Sequence, residues 1–192
     1  KTPRWGFPVR SFPMANFSFI QMADTQVGMY SRFSELDPEA TAHLRANGLN
    51  VRDAPQRIKG LGPERDNIVT AIEQIEAIDP AFVVVCGDMV DAAGDEAQIA
   101  LIRETLGEYS ARTPVHWVPG NHDIGVNGLI PNRDSTAWYR SEFGDDYYAF
   151  THGESTFVIL NSVLLDRPEH LPDEHTRQMD FLGDTLGSRG TR

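Results

Sequence analysis

Apolar residues along the chain follow two spacings, one typical of strands and one typical of helices. Strand patterns cover residues 17–23, 81–88 and 115–121. The second of these, AFVVVCGD, is apolar at successive positions, as in a parallel strand that is covered on both faces. Helical spacing falls between the strands, over about residues 63–78 and 95–110. This alternation predicts a parallel α/β sheet with right-handed crossovers.

The rest of the chain adds helices, a hairpin and one long connection. Helical spacing recurs over residues 135–143 and about 173–186. Two strand-like runs within residues 147–160 flank a Gly-Glu turn signal, which predicts an antiparallel hairpin. The connection over residues 25–62 carries one predicted short helix at 38–47, and loops of this length often frame a functional site.

Composition narrows the class of protein. The 192 residues suffice for one domain with a proper core, and no run approaches the ~18 apolar residues of a membrane helix. Acidic residues outnumber basic ones by 28 to 17, and the formal charge of −11 argues against nucleic acid as a partner. The single cysteine, Cys86, cannot form an intramolecular disulfide, which favours a cytoplasmic location. We therefore expect neither nucleic acid nor a membrane as a partner.

The start of the chain differs from the rest. It lacks an initial Met, and Met14 directly precedes the first predicted strand. We predict that residues 1–13 are an N-terminal extension or are foreign to the domain, and that residues 14–192 form the domain.

Each strand of the predicted parallel sheet ends in a polar residue: Asp24, Asp88 and Asn121. The carboxyl ends of such strands meet at one rim, where open α/β sheets bind their ligands. Carboxylate and amide oxygens suit hard divalent cations. If Asp88 is central, its carboxylate can bridge two ions about 4 Å apart, the spacing at which a metal pair binds a phosphoryl group.

His122 directly follows a candidate ligand and therefore points elsewhere. An imidazolium at this position would protonate the departing alkoxide of an ester, with Asp91 or Asp123 holding its other ring nitrogen. A surface turn is the alternative reading of the stretch 119–123, because Pro, Gly and Asn are good turn formers. The polar residues at the ends of the other two strands favour a functional site over a surface turn.

Three motifs point to a family: Asp24-x-Gln26, GDxxD at residues 87–91 and GNHD at residues 120–123. With the segments FIQMADTQVG, VVVCGDMVDA, VPGNHDIG, FGDDYYAF and FVILNS, the chain resembles the calcineurin-like metallophosphoesterases, and among them a serine/threonine phosphatase branch. The resemblance extends from about residue 17 to about residue 186. It implies a β-sandwich of two mixed sheets flanked by helices, with a dinuclear metal site at one end.

The resemblance also implies a metal-ligand set for two divalent ions, which would be Mn, Fe, Zn or Mg. Asp24 would bind the first metal, Asp88 would bridge both metals, and Asn121 would bind the second. Many members of the family have His where this chain has Gln26, which is a weaker ligand for the first metal.

The same comparison of motifs implies three further roles. His122 would be the acid that acts on the leaving oxygen, Asp91 would be its carboxylate partner, and Asp123 would support the loop. The family normally continues beyond the helix at 173–186 with a strand that bears a His and with a Gly-His-x-His motif. We therefore expect this chain to be the N-terminal two-thirds of the domain.

The predicted function is hydrolysis of phosphomonoesters, with phosphoserine and phosphothreonine among them, by a hydroxide that bridges the metals and with His122 as general acid. One alternative is a phosphodiesterase for cyclic nucleotides or phospholipid head groups. Another is a truncated metal-binding or assembly unit with weak activity or none. Its incomplete sheet would leave an edge for homodimerisation.

Overall fold

The structure, a computed structural model, describes residues 16–54, 56–126 and 130–187. The predicted extension, residues 1–13, lies outside these ranges, as do residues 188–192. The division of the chain into an extension and a domain therefore stays a prediction.

The strands of the described ranges form one parallel sheet and two antiparallel pairs. They are β1 (Phe19–Met22), β2 (Phe82–Cys86), β3 (Val115–Val118), β4 (Gly125–Val126), β5 (Ile130–Pro131), β6 (Tyr148–His152) and β7 (Ser155–Ile159). The parallel sheet has the order β1-β2-β3, and β4-β5 and β6-β7 are the antiparallel pairs. The predicted parallel strands and the predicted hairpin are both confirmed.

Helices connect these strands. They are α1 (Met29–Ser34), α2 (Pro38–Ala46), α3 (Gly62–Ile78), α4 (Glu96–Ile102), α5 (Glu108–Ser110), α6 (Asn121–Ile124), α7 (Arg133–Phe143), α8 (Ser162–Asp166) and α9 (Pro172–Gly187). A 3₁₀ turn, Pro168–His170, precedes α9. None of the helices in the described ranges is long and apolar enough to cross a membrane.

The helices differ from the prediction in several places. The single helix expected over about 95–110 is interrupted between α4 and α5 by a π-helical segment, Arg103–Gly107, which ends at a weak helix former. Helices α1, α6 and α8 were not predicted, because six residues or fewer are too few to display a helical period. Glu64 of α3 stabilises the start of α1. The Oε1 atom of Glu64 accepts hydrogen bonds from the backbone N–H groups of Gly28 (3.2 Å) and Tyr30 (3.0 Å).

Strand β2 separates two apolar clusters. Val83 and Val85 belong to the cluster that includes apolar residues of α3 and α4. Phe82 and Val84, on the other face, pack with the β6-β7 hairpin, where the rings of Phe150 and Phe82 lie 5.2 Å apart. This burial on both faces confirms β2 as the central strand.

The layers are therefore helices, a parallel sheet and an antiparallel hairpin. This arrangement confirms the α/β class. Each described sheet is wholly parallel or wholly antiparallel. The two mixed sheets implied by the resemblance stay a prediction.

Candidate active site

Asp24 and Asp88 lie where the chain leaves β1 and β2, in a backbone conformation that is unusual for residues with side chains. Their φ angles are 54° and 50°, and that of Gln26 is 35°. Asp tolerates this left-handed region better than most residues do. Backbone hydrogen bonds tie the two exits together, from Asp24 N to Gly87 O (3.1 Å) and from Gln26 N to Asp88 O (2.8 Å).

Glycine is required next to Asp88. A Cβ atom added to Gly120 would lie 2.2 Å from Asp88 Oδ1 and 2.4 Å from Asp88 N. Such contacts are far inside van der Waals separation, so only a residue without a side chain lets the β3 exit approach Asp88. Asp88 Oδ1 also accepts a hydrogen bond from His122 N (2.9 Å), which fixes the orientation of the carboxylate.

Asp24, Asp88 and Asn121 line the same cavity, which has a volume of about 500 Å³. The residues that follow β1, β2 and β3 are distant in sequence, and they meet at one edge of the sheet, as the sequence predicted. Gln26 lines a different cavity, together with Asp24, and its Nε2 donates a hydrogen bond to Asp91 Oδ1 (3.4 Å). Its predicted role as a ligand of the first metal stays a prediction.

The electrostatics of the cavity favour a cation. Burial raises the pKa of Asp88, and the neighbouring carboxylates of Asp24 and Asp91 raise it further, against the opposing effect of the His122 N–H and ring. Two carboxylates and an amide oxygen are a donor set that fits a hard divalent ion. Within the described ranges, no three His, Cys, Asp or Glu side chains converge closely enough to hold a metal ion by themselves.

The imidazole of His122 is held through Nδ1. This nitrogen lies 2.7 Å from the backbone carbonyl oxygen of Asp91 and 3.7 Å from its carboxylate Oδ1. Because a carbonyl oxygen can only accept, Nδ1 carries the hydrogen and Nε2 is the nitrogen left for proton transfer. Asp91 is therefore the partner of His122 in this structure, but mainly through its main chain rather than through the expected carboxylate.

The Asp91 carboxylate instead binds Arg32 of α1. Arg32 Nε lies 2.5 Å from Oδ2, and Arg32 Nη2 lies 2.6 Å from Oδ1, which is a bidentate ion pair. Sequence reasoning missed Arg32, because it lies in a helix without an apolar period and is 59 residues from its partner.

Asp123 joins the β2 and β3 exits. It is fully buried, and it accepts hydrogen bonds from Met89 N (2.8 Å), Val90 N (3.3 Å) and Gly120 N (2.9 Å). Burial raises the pKa of Asp123 to about 7, although these N–H groups act in the opposite direction. These hydrogen bonds join the loops that follow β2 and β3, and the role of Asp123 as a support of the loop stays a prediction.

A second cavity of about 670 Å³ adjoins His122. Arg32, Asp91, Arg133 and Trp138 also line it. The histidine therefore faces a different space from its neighbour Asn121, as its position in the sequence predicted.

Comparison with known proteins identifies the family of this chain. The family model described as calcineurin-like phosphoesterase matches residues 17–190, so the chain belongs to that family. A serine/threonine-protein phosphatase CPPED1 from Bos taurus is 29% identical over 184 residues, which are 92% of this chain and 53% of that protein.

Proteins of the same name from other organisms are similar. The Danio rerio protein is 30% identical over 76% of this chain and 43% of its own length, and the Homo sapiens protein is 28% identical over 88% and 50%. The chain thus spans about half the length of the curated relatives it matches. The resemblance to the family and to its serine/threonine phosphatase branch is confirmed.

Proposed function

We propose that this chain is the part of a metal-dependent phosphoesterase that carries the proton donor and part of the metal site. Its substrates are phosphomonoesters, with phosphoserine and phosphothreonine among them. The observation that carries this proposal is the meeting of Asp24, Asp88 and Asn121 in one cavity, beside a histidine whose ring is already held. The relatives, named serine/threonine-protein phosphatases, support the substrate class.

The family generally uses a pair of divalent metal ions. In this chain, Asp24 and Asp88 would hold them with carboxylate oxygens, and Asn121 would do so with its amide oxygen. When bound, such ions activate water and neutralise charge on the phosphoryl group. Burial is the main cause of the raised pKa of Asp88, and the carboxylates of Asp24 and Asp91 add to it. A cation bound beside Asp88 would favour its ionised form.

His122 would handle the proton of the leaving group. With Nδ1–H donated to the Asp91 carbonyl, the protonated ring can give its second hydrogen from Nε2 to the departing oxygen. The alcohol part of the substrate would then lie toward the second cavity, because His122 lines that cavity and the metal-ligand candidates line the other.

Turnover of p-nitrophenyl phosphate against bis-p-nitrophenyl phosphate tests the substrate class. We expect faster cleavage of the monoester by the Mn²⁺-loaded chain. Faster cleavage of the diester would favour the phosphodiesterase alternative.

Metal analysis of the purified chain tests the remaining alternative, a binding or assembly unit. Two tightly held ions per chain would contradict it. A chain that binds no ions and hydrolyses neither ester would contradict the proposal of activity for this chain.

A further inference from the structure

Arg167 lies in the cavity of the metal-ligand candidates. It directly follows α8, and the described lining of the cavity also includes Asp24, Asp88 and Asp166. Among the described residues that line this cavity, Arg167 is the one that carries a positive charge. An arginine at this position would face any anion that enters the cavity.

The guanidinium of Arg167 is only partly engaged. Its Nε lies 3.0 Å from Asp166 Oδ2, and half of the side chain (51%) is exposed. The terminal nitrogens carry the remaining N–H donors, in the planar arrangement that binds two oxygens of a phosphate at once. The Asp166 side chain is itself 75% exposed, so this ion pair is a weak constraint that an incoming phosphate can replace.

The main chain of Arg167, by contrast, is firmly placed. Its N–H donates to Val163 O (3.1 Å), which continues α8 by one residue. Asn161 caps this helix: its Oδ1 accepts from Val163 N (3.1 Å) and Leu164 N (3.3 Å). Asn161 is fully buried, and its Nδ2 donates to Asp146 Oδ2 (2.8 Å). The fold therefore fixes the backbone of Arg167 and leaves its side chain half exposed.

We propose that Arg167 recognises the phosphate of the substrate and selects monoesters over diesters. This inference rests on the proposed function, since it assigns the phosphoryl group to the same cavity. A monoester carries a charge of about −2 near neutral pH and exposes one more unesterified oxygen than a diester, whose charge is about −1. A bidentate arginine gains most from the more highly charged group with more free oxygens.

The test replaces Arg167 with Gln and measures binding of inorganic phosphate to the Mn²⁺-loaded chain by calorimetry. We expect R167Q to weaken phosphate binding about 10- to 100-fold, the range of a lost charged hydrogen-bond pair. Arg167→Lys should recover only part of the loss, because it keeps the charge without the planar donor pair. Turnover should show the same selectivity: kcat/KM for the monoester falls about 10-fold or more, and that for the diester changes less than about 3-fold.

Arg65→Gln is the matched control. Arg65 is half exposed (50%) and pairs with one acidic residue, Glu104, as Arg167 does with Asp166, but it lines neither of the two cavities described above. R65Q should leave phosphate binding unchanged. Thermal unfolding of both variants shows whether either substitution disturbs the fold.

The outcomes separate this inference from the proposed function. Phosphate binding by R167Q that equals wild type, or a wild-type chain that binds no phosphate, would overturn the role of Arg167. A wild-type chain that binds Mn²⁺ and phosphate but hydrolyses neither ester would contradict the proposed function. In that case the phosphate affinity of R167Q would still decide the role of Arg167.

Discussion

At the scale of single residues, the site depends on how closely two strand exits approach each other. Gly120 lies against Asp88, and a hydrogen bond from His122 N orients the Asp88 carboxylate. Asp24 and Asp88, which follow β1 and β2, both have left-handed backbone conformations. Such conformations cost about 1–3 kcal/mol each, so their occurrence at two candidate ligands supports a functional role.

Gly120→Ala should disrupt the site through Asp88. The added Cβ overlaps Asp88 Oδ1 and N, so we expect a loss of about 1–3 kcal/mol in the free energy of unfolding and weaker Mn²⁺ binding. Urea unfolding and calorimetry measure the two effects. The control is Gly183→Ala in α9, where a Cβ meets nothing within 4 Å and alanine should stabilise the helix. A G120A chain that binds Mn²⁺ like wild type would refute the steric argument.

His122→Ala should lower turnover by about 100-fold or more, because the departing oxygen loses its proton donor. The loss should be larger with phenyl phosphate than with p-nitrophenyl phosphate, whose better leaving group needs less protonation. Phosphate binding should change little. His43→Ala, an exposed histidine on α2, is the control. Equal losses with both esters would argue against a general acid.

At the scale of elements, a buried polar network joins α8 to α9 and to the start of β6. Asn161 N donates to Gln178 Oε1 (2.7 Å), and Gln178 Nε2 donates back to Asn161 O (3.2 Å). Asp146 accepts from Asn161 and also from Arg140 Nε (2.6 Å) of α7. Asp146 of FGDDYYAF and Asn161 of FVILNS therefore meet in the fold.

Asn161→Ala should cost about 2–4 kcal/mol of unfolding free energy, since it removes a helix cap and leaves buried Asp146 with one partner fewer. Asn132→Ala is the matched control. Asn132 caps α7 by accepting from Ser135 N (2.9 Å), and its loss should cost only about 1 kcal/mol. Urea denaturation compares the two variants. Equal costs would mean that the contact with Asp146 adds nothing to the cap.

At the scale of the whole molecule, the candidate metal site joins segments that are far apart in sequence. Asp24, Asp88 and Asn121 come from the exits of β1, β2 and β3, so the unfolded chain has no preformed site. Metal binding should therefore stabilise the folded chain rather than the unfolded one.

Mn²⁺ at 100 times its dissociation constant should raise the unfolding free energy by about 2.7 kcal/mol. Asp88→Asn should abolish most of this gain, because it removes the predicted bridging carboxylate. Asp180→Asn, an exposed acidic residue on α9, should retain it. Thermal unfolding with and without Mn²⁺ measures the shift. An equal shift in D88N and wild type would place the metal elsewhere.

The sequence by itself determined the parallel strands, the hairpin and the meeting of Asp24, Asp88 and Asn121 at one rim. These features follow from local patterns: β-branched runs specify strands, and polar residues at the ends of parallel strands share an edge. The helix boundaries were less well predicted, as the π segment within the predicted 95–110 helix shows.

Only the tertiary structure decided which further side chains lie around the candidate site. Arg32 binds Asp91 across 59 residues. Arg167 lines the cavity and follows α8, whose capping residue Asn161 is hydrogen-bonded to Asp146 and Gln178. His122 Nδ1 is hydrogen-bonded to the backbone carbonyl of Asp91 rather than to the expected carboxylate, and this contact also depends on packing. No local pattern encodes such contacts, because their energy arises only when elements far apart in the chain are buried together.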